Sequence, residues 1–252
     1  MFLAVLVGFG LTTDRFLSPI NLANVLRQGA PLVVVAIGAT FVLVAAGIDL
    51  SIGAMVSFAG VFTALLLQAG VPPALAVAAV LLVAVAIGGV AGFLVAYQQL
   101  PSFIVTLGTL SILLGVAQLI GRGFSIPIDT DAWLIGLGQG RIGMVPVPVL
   151  FAFLVAALAW LLLNRTVYGL RVRGIGSNEE SVRRSGAPVN RLVTSVYMIS
   201  AGLAAVGGLI IAMRLQSGTA TAGTGLELKA IAAVVLGGTS LFGGKGTIVG
   251  TV

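Results

Sequence analysis

Cysteine and histidine are both absent from this 252-residue chain. Their absence removes disulfides, thiolate nucleophiles, imidazole bases and the usual zinc and haem ligands, so no metal or cofactor is implied. Charge is nearly as scarce: 8% of residues are Asp, Glu, Lys or Arg, against about 25% in an ordinary soluble domain. From residue 50 to residue 121 there is no charged side chain in 72 positions. A bilayer core takes about 20 apolar residues per spanning helix, so that stretch accommodates roughly three spans with their turns.

What is present is apolar. Hydrophobic residues make up 59% of the chain, mean hydropathy is +1.19, and apolar runs recur from end to end. The expected fold is all-α, a polytopic helical membrane protein forming one transmembrane domain over 1–252. Apolar runs bounded by polar residues or Gly and Pro predict spans near 1–12, 30–48, 51–69, 74–97, 102–120, 147–163, 192–213 and 229–241, with a ninth starting near 246. The segment 1–11 lacks a basic leader and a small-residue cleavage site, so it reads as a short or trimmed first span and not as a signal peptide. The apolar run at 247–252 stops as it begins, which suggests a fragment lacking C-terminal spans.

Residues 164–191 hold six arginines and two glutamates in 28 positions. Short loops dense in Arg and Lys remain on the cytoplasmic side, and alternation then places 14–29, 121–146 and 214–228 outside. The net charge of +6 sits largely in that loop without interleaved aromatics, which argues against nucleic acid as a partner and for the lipid bilayer.

Two places break the helical pattern at membrane depth. Asp49 stands between Gly47 and Gly53 in uncharged surroundings. A carboxylate at the centre of a span costs about 2.5–3.5 kcal/mol, so it either faces a partner or pathway, or sits at the edge and caps the next helix. Ser51 and Thr40 are candidates to share its polar environment on a translocation route. The second break, 216–225, is small and hydroxylated and suits a loop or re-entrant segment lining a cavity. Gly88 and Gly92 form a GxxxG face for helix packing. A phosphate-loop lookalike at 238–246 fails, because Thr239 stands where glycine is required and Gly246 where Ser or Thr is required.

Within the basic loop, Ser177, Asn178, Glu179 and Glu180 open a short helix and Arg183, Arg184 and Gly186 close it. Ser177 with Glu180 reads as a capping box, the charges match the helix dipole, Gly186 supplies a left-handed stop and Pro188 prevents continuation. About two turns are marginal in water, so the helix makes sense if it docks onto something; otherwise the charges serve topology alone.

The stretches 221–247, 47–53 and 176–186 resemble those of permease subunits of ribose-type ABC sugar importers, and the likeness runs from about Phe16 to Val252. The resemblance implies about ten helices in the full-length subunit, a homo- or heterodimer with a second permease subunit, separate ATP-binding cassette ATPase subunits and an extracytoplasmic sugar-binding protein. It implies further that ATP is hydrolysed in the partner, that the protein lies in the bacterial inner membrane, and that 177–186 fits a groove of the ATPase. Lys229 stands where members of that family often carry an acid. The alternative, an ion-coupled secondary transporter of small polar solutes, needs several buried ionisable groups, and only Asp49 qualifies among the early spans.

Overall fold

The computed structural model describes Phe9, Thr12, Thr13 and residues 16–252. Most of the run expected at 1–12, with Asp14 and Arg15, lies outside the described residues. The rest is helical almost throughout, with α1 (Pro19–Val44), α2 (Ile52–Gln68), α3 (Pro73–Ala96), α4 (Ser102–Gly121), α5 (Ala132–Gln139), α6 (Val147–Arg165), α7 (Val167–Arg184), α8 (Val189–Leu215), α9 (Leu226–Leu236) and α10 (Ile248–Thr251). Two-residue strands make two small pairs, β1 (Ile126–Pro127) with β4 (Ser217–Gly218) and β2 (Arg141–Ile142) with β3 (Val145–Pro146). Among the described residues five helices are long and apolar enough to cross a membrane, α1, α3, α4, α6 and α8, and α2 is a shorter apolar helix of 17 residues.

Two expected spans need correction. The one drawn at 30–48 starts at Pro19, where Ser18 accepts from the Asn21 amide and proline occupies the first turn. The polar residues Asn21, Asn24, Arg27 and Gln28 belong to this helix, so the apolar run undercounts it. The one drawn at 229–241 is only α9, of 11 residues, stopped by Gly237 and by Gly238 at φ +88°. At 1.5 Å per residue it reaches about 17 Å, well short of a 30 Å hydrocarbon core.

Helix α8 is the central mast, the most buried of the five spanning helices, with α1, α2 and α3 packed around it. Small residues bring α3 close, as the GxxxG spacing suggests: a Cβ on Gly92 would lie 2.7 Å from the Thr194 Cα, and one on Gly88 would meet the Tyr197 carbonyl at 2.5 Å. The ends of α2, α4 and α8 gather on one side. There β1 pairs with β4, and Gln139 donates to the carbonyl of Arg214 at 3.1 Å. On the other side, Gly244 donates to the carbonyl of Val44 at 2.9 Å, bringing the turn after α9 under the end of α1. The helix Val147–Arg165 separates 121–146 from 164–191, so these segments lie at its opposite ends.

Gly92→Leu inserts a branched chain into the α3–α8 contact and should cost about 1–3 kcal/mol. The purified variant in detergent should show a lower thermal unfolding midpoint. Gly108→Ala, where a Cβ meets nothing within 4 Å, should leave the midpoint unchanged or raised; equal losses would refute the close-packing account.

Candidate functional site

The chain between α1 and α2 is not helical, and Ala46 adopts a left-handed φ of +62°. This irregular backbone is held by side chains from α4: the Ile48 amide donates to Ser102 Oγ at 3.2 Å, and Thr106 Oγ1 donates to the Ile48 carbonyl at 3.3 Å. Asp49 follows, buried at 5% exposure. Its Oδ1 accepts from the Ser51 amide at 2.9 Å and the Ser51 hydroxyl at 2.6 Å, and its Oδ2 accepts from Ser200 Oγ at 2.7 Å. Ser200 stands 11 residues into α8, about 16 Å along its axis. The carboxylate therefore lies at depth and also organises the first turn of α2, so the two readings of Asp49 merge. No cation pairs with it: both ion pairs among the described residues lie in α7.

Ser51 shares the Asp49 environment, whereas Thr40 does not share its hydrogen bonds. The Thr40 hydroxyl donates to the Ala36 carbonyl at 2.8 Å and lies 2.9 Å from Thr251 Oγ1 in α10. Ser200 was not legible, being one of two serines in an apolar span with nothing local to mark it. Glu227, in the segment expected outside, has its carboxylate in the space where a Cβ on Gly53 would sit, at the first turn of α2, because 219–226 turns back into the bundle. There Gly223 donates to Ser57 Oγ at 2.9 Å. An acid beside a helix N-terminus is favoured by the helix dipole.

The basic segment is more ordered than a loop. Thr166 caps α7 by accepting from the Gly169 amide at 3.3 Å. Residues 167–177 form a first arm, anchored by Tyr168 to Ser195 at 2.8 Å, by Arg173 to Asn164, and by buried Val172 and Ile175. Burial raises the Tyr168 pKa above its ordinary value of 10.0. Gly176 packs directly on the Val44 carbonyl and the Gly244 amide, where any side chain would collide. At Asn178 the backbone leaves the helix, with φ −160° and ψ 95°.

The short helix therefore begins one residue later than the capping box implies. Asn178 Oδ1 accepts from the Ser181 amide at 2.9 Å, while the Ser177 hydroxyl donates back to the Arg173 carbonyl at 3.1 Å. Serine at 177 continues the first arm, so the cap falls to the next residue with a suitable acceptor. The other end agrees with expectation: Gly186 stops the helix at φ +82°. Glu179 pairs with Arg183 at 2.5 Å and Glu180 with Arg184 at 2.9 Å, each one turn apart.

On the opposite side α4 presents an unusual face. Gly108, Ser111, Gly115 and Gln118 are exposed along one line of the helix, whereas the exposed positions of α3 include Leu75, Leu82, Val90 and Phe93. A lipid-facing surface has no use for the former. The line leads to a cavity of about 950 Å³ lined by Gln118, Arg122, Ser125, Thr219 and Thr221, so of the segment 216–225 residues 219–221 line it.

Residues 21–252 match a family model described as the branched-chain amino acid transport system / permease component. The chain is 39% identical to the ribose import permease protein of Bacillus subtilis (strain 168) over 253 residues, covering 100% of this chain and 78% of the relative. It is 40% identical to that of Escherichia coli (strain K12), covering 99% and 79%, and 37% identical to the D-allose transport system permease protein of the same organism, covering 99% and 77%. No solved structure matches the chain. The chain belongs to this permease family and is a ribose-type ABC permease, a multi-pass protein of the cell membrane whose part is transport.

Asp49→Ala strands three donors, and a buried unsatisfied polar group costs about 1–3 kcal/mol. We expect a lower unfolding midpoint for Asp49→Ala than for Asp49→Asn, which retains an acceptor oxygen, and a smaller loss for Ser200→Ala. An Asp49→Ala protein that melts like the parent would remove the clamp.

Proposed function

We propose that this permease forms the membrane path of an ATP-driven importer for a monosaccharide handed over by an extracytoplasmic binding protein. Hydrolysis belongs to separate ATPase subunits, and a second permease copy or homologue completes the path. The sugar class follows from the relatives, two of which are named for ribose import and one for D-allose transport. Family membership alone does not choose it, since the family is described by branched-chain amino acids.

The observation that carries the reading is the short helix 179–184, set off by the break at Asn178 and the stop at Gly186 and exposed on the basic face. We read segment 164–191 as the cytoplasmic coupling element, with Ser177, Asn178, Glu179, Glu180, Arg183, Arg184 and Gly186 together coupling the ATPase to the bundle. The phosphate-loop lookalike plays no nucleotide role in this account, because Gly244 spends its amide on Val44 and its Cα side lies against Ser177. Two conformations biased by nucleotide in the partner are sufficient to drive alternating access.

For the route itself we favour the polar line on α4 and the outer cavity beside Thr219 and Thr221. Neutral hydroxyl-rich solutes need hydrogen-bonding groups and small residues along their path, not charge. Asp49 and Ser51 lie beside this route and hold the frame of α2, α4 and α8. Thr40, bonded to Thr251, stands one helix further away.

Proteoliposomes holding the permease alone should neither bind ATP nor take up D-ribose. Adding the ATPase and binding protein should confer uptake that a non-hydrolysable nucleotide abolishes and an ionophore leaves intact; abolition by the ionophore would favour an ion-coupled carrier. In the same vesicles Gly115→Leu, at an exposed position with nothing within 4 Å of its Cβ, should cut uptake at least tenfold with an unchanged melting midpoint. Full uptake by that variant would place the route elsewhere.

A further inference from the structure

The short helix has two faces, and they are tied differently. Residues three and four apart share a helix face, so Glu179, Val182 and Arg183 form one side and Glu180 and Arg184 the other. The second side looks outward: the Arg184 and Glu180 side chains are 79% and 62% exposed and bond each other, and the Arg184 guanidinium has no further partner among the described residues. The first side looks inward. Arg183 is 44% exposed and reaches two acceptors, Glu179 Oε1 at 2.5 Å and Asn190 Oδ1 at 3.3 Å from each terminal nitrogen. Val182 packs beneath it on the cluster of Ile175, Ala187, Val189 and Leu192.

Asn190 is the second residue of α8, the helix whose Ser200 holds Asp49. A straight helix transmits displacement along its length, so a pull at Asn190 is felt at the start of α2. Between the inner side of the short helix and the bundle lies a cavity of about 410 Å³, lined by Glu179, Arg183, Asn190, Gln99, Gly47 and Tyr197. The short helix is therefore not packed solidly against α1 and α3. It has room to move about the extended residue Asn178 and the left-handed Gly186. Among the described residues its links to the bundle beyond those two joints are the Val182 contact and the Arg183–Asn190 bond.

We infer that the short helix divides its work between these faces: Glu180 and Arg184 meet the ATPase, while Arg183 is a positioning residue that passes the helix's movement to α8 through Asn190. This rests on the coupling reading above and assigns separate duties within it. Arginine suits the inner position because its planar fork reaches Glu179 and Asn190 together, which a lysine ammonium does not reproduce. The pair is exposed enough that its loss should barely affect stability. Its effect should appear in coupling.

The test uses the complete complex in proteoliposomes, with D-ribose as probe. It measures ATPase co-purification and the amount of D-ribose taken up per ATP hydrolysed. Arg184→Glu should abolish co-purification. Arg183→Ala should retain the ATPase and lower the uptake-to-hydrolysis ratio about fivefold or more. Asn190→Leu should copy Arg183→Ala, and Arg183→Lys should recover part of the ratio. If Arg183→Ala sheds the ATPase as Arg184→Glu does, Arg183 is a docking residue and the division is wrong. If Arg183→Ala and Asn190→Leu both keep the parental ratio, no tether exists. If Arg184→Glu keeps its ATPase, the docking reading of the segment falls, and this inference with it.

Discussion

Hydrocarbon offers no hydrogen-bond partner, so every peptide group that leaves a helix inside the bilayer must be met by the protein itself. The interior of this permease depends on how the break at 45–51 meets that demand. The end of α1 winds up on itself, with Ala46 donating to Leu43 at 2.9 Å and Gly47 to Val42 at 2.9 Å. Ser102 and Thr106 of α4 then take both polar groups of Ile48, and Asp49 takes the Ser51 amide. A carboxylate is the efficient choice because it accepts from several donors at once. Its charge is offset by the three hydrogen bonds and by the first turn of α2.

The same demand shapes 216–225. Here the chain turns back along α2 with short local bonds, Ala222 to Thr219 and Thr224 to Thr221, each at 3.1 Å, and with Ser57 receiving the Gly223 amide. Hydroxyls and glycines recur because they supply acceptors without bulk. Helix α2 is thus flanked by irregular backbone both before its start and along its side, and its neighbours must approach closely. Gly208 and Gly223 lie so near the backbone of α2 that neither has room for a side chain.

Much of this was legible in the sequence because the governing constraint is compositional. Uncharged runs mark the spans, the arginine density of 164–191 marks one side, and the glycine spacing at 88 and 92 marks a close helix pair. What escaped depends on three-dimensional partners. Nothing local shows that Ser200 would face Asp49 across 151 positions, or that Thr40 would turn instead to Thr251. The polar start of α1 hid about three turns of helix, since a spanning helix can run past the bilayer into water without any change in its backbone. The contact of Glu227 with the first turn of α2 is non-local too, and α9, at 11 residues, is too short for the full crossing that alternation assumes. The cap moved from Ser177 to Asn178 because a longer helix upstream claims the serine, a competition no four-residue pattern contains.

The proposed coupling role asks for a part held weakly but connected firmly, and segment 167–184 separates those requirements by position. Its first arm is fastened by buried Val172 and Ile175, by Tyr168 and by the side-chain-free contact at Gly176, so it moves only with the bundle. Beyond Asn178 the fastenings among the described residues are the exposed Arg183–Asn190 hydrogen bond and one apolar side chain, Val182, while the two ion pairs stay within the short helix. An external partner has enough binding energy to displace such an arm, yet not enough reason to unfold the first one. In that proposal the direction of transmission is set by where the arm is tethered. From Asn190 the nearest rigid body is α8, and α8 carries the serine on which the break at Asp49 closes. The least charged region of the chain and the most charged one are joined by a single helix.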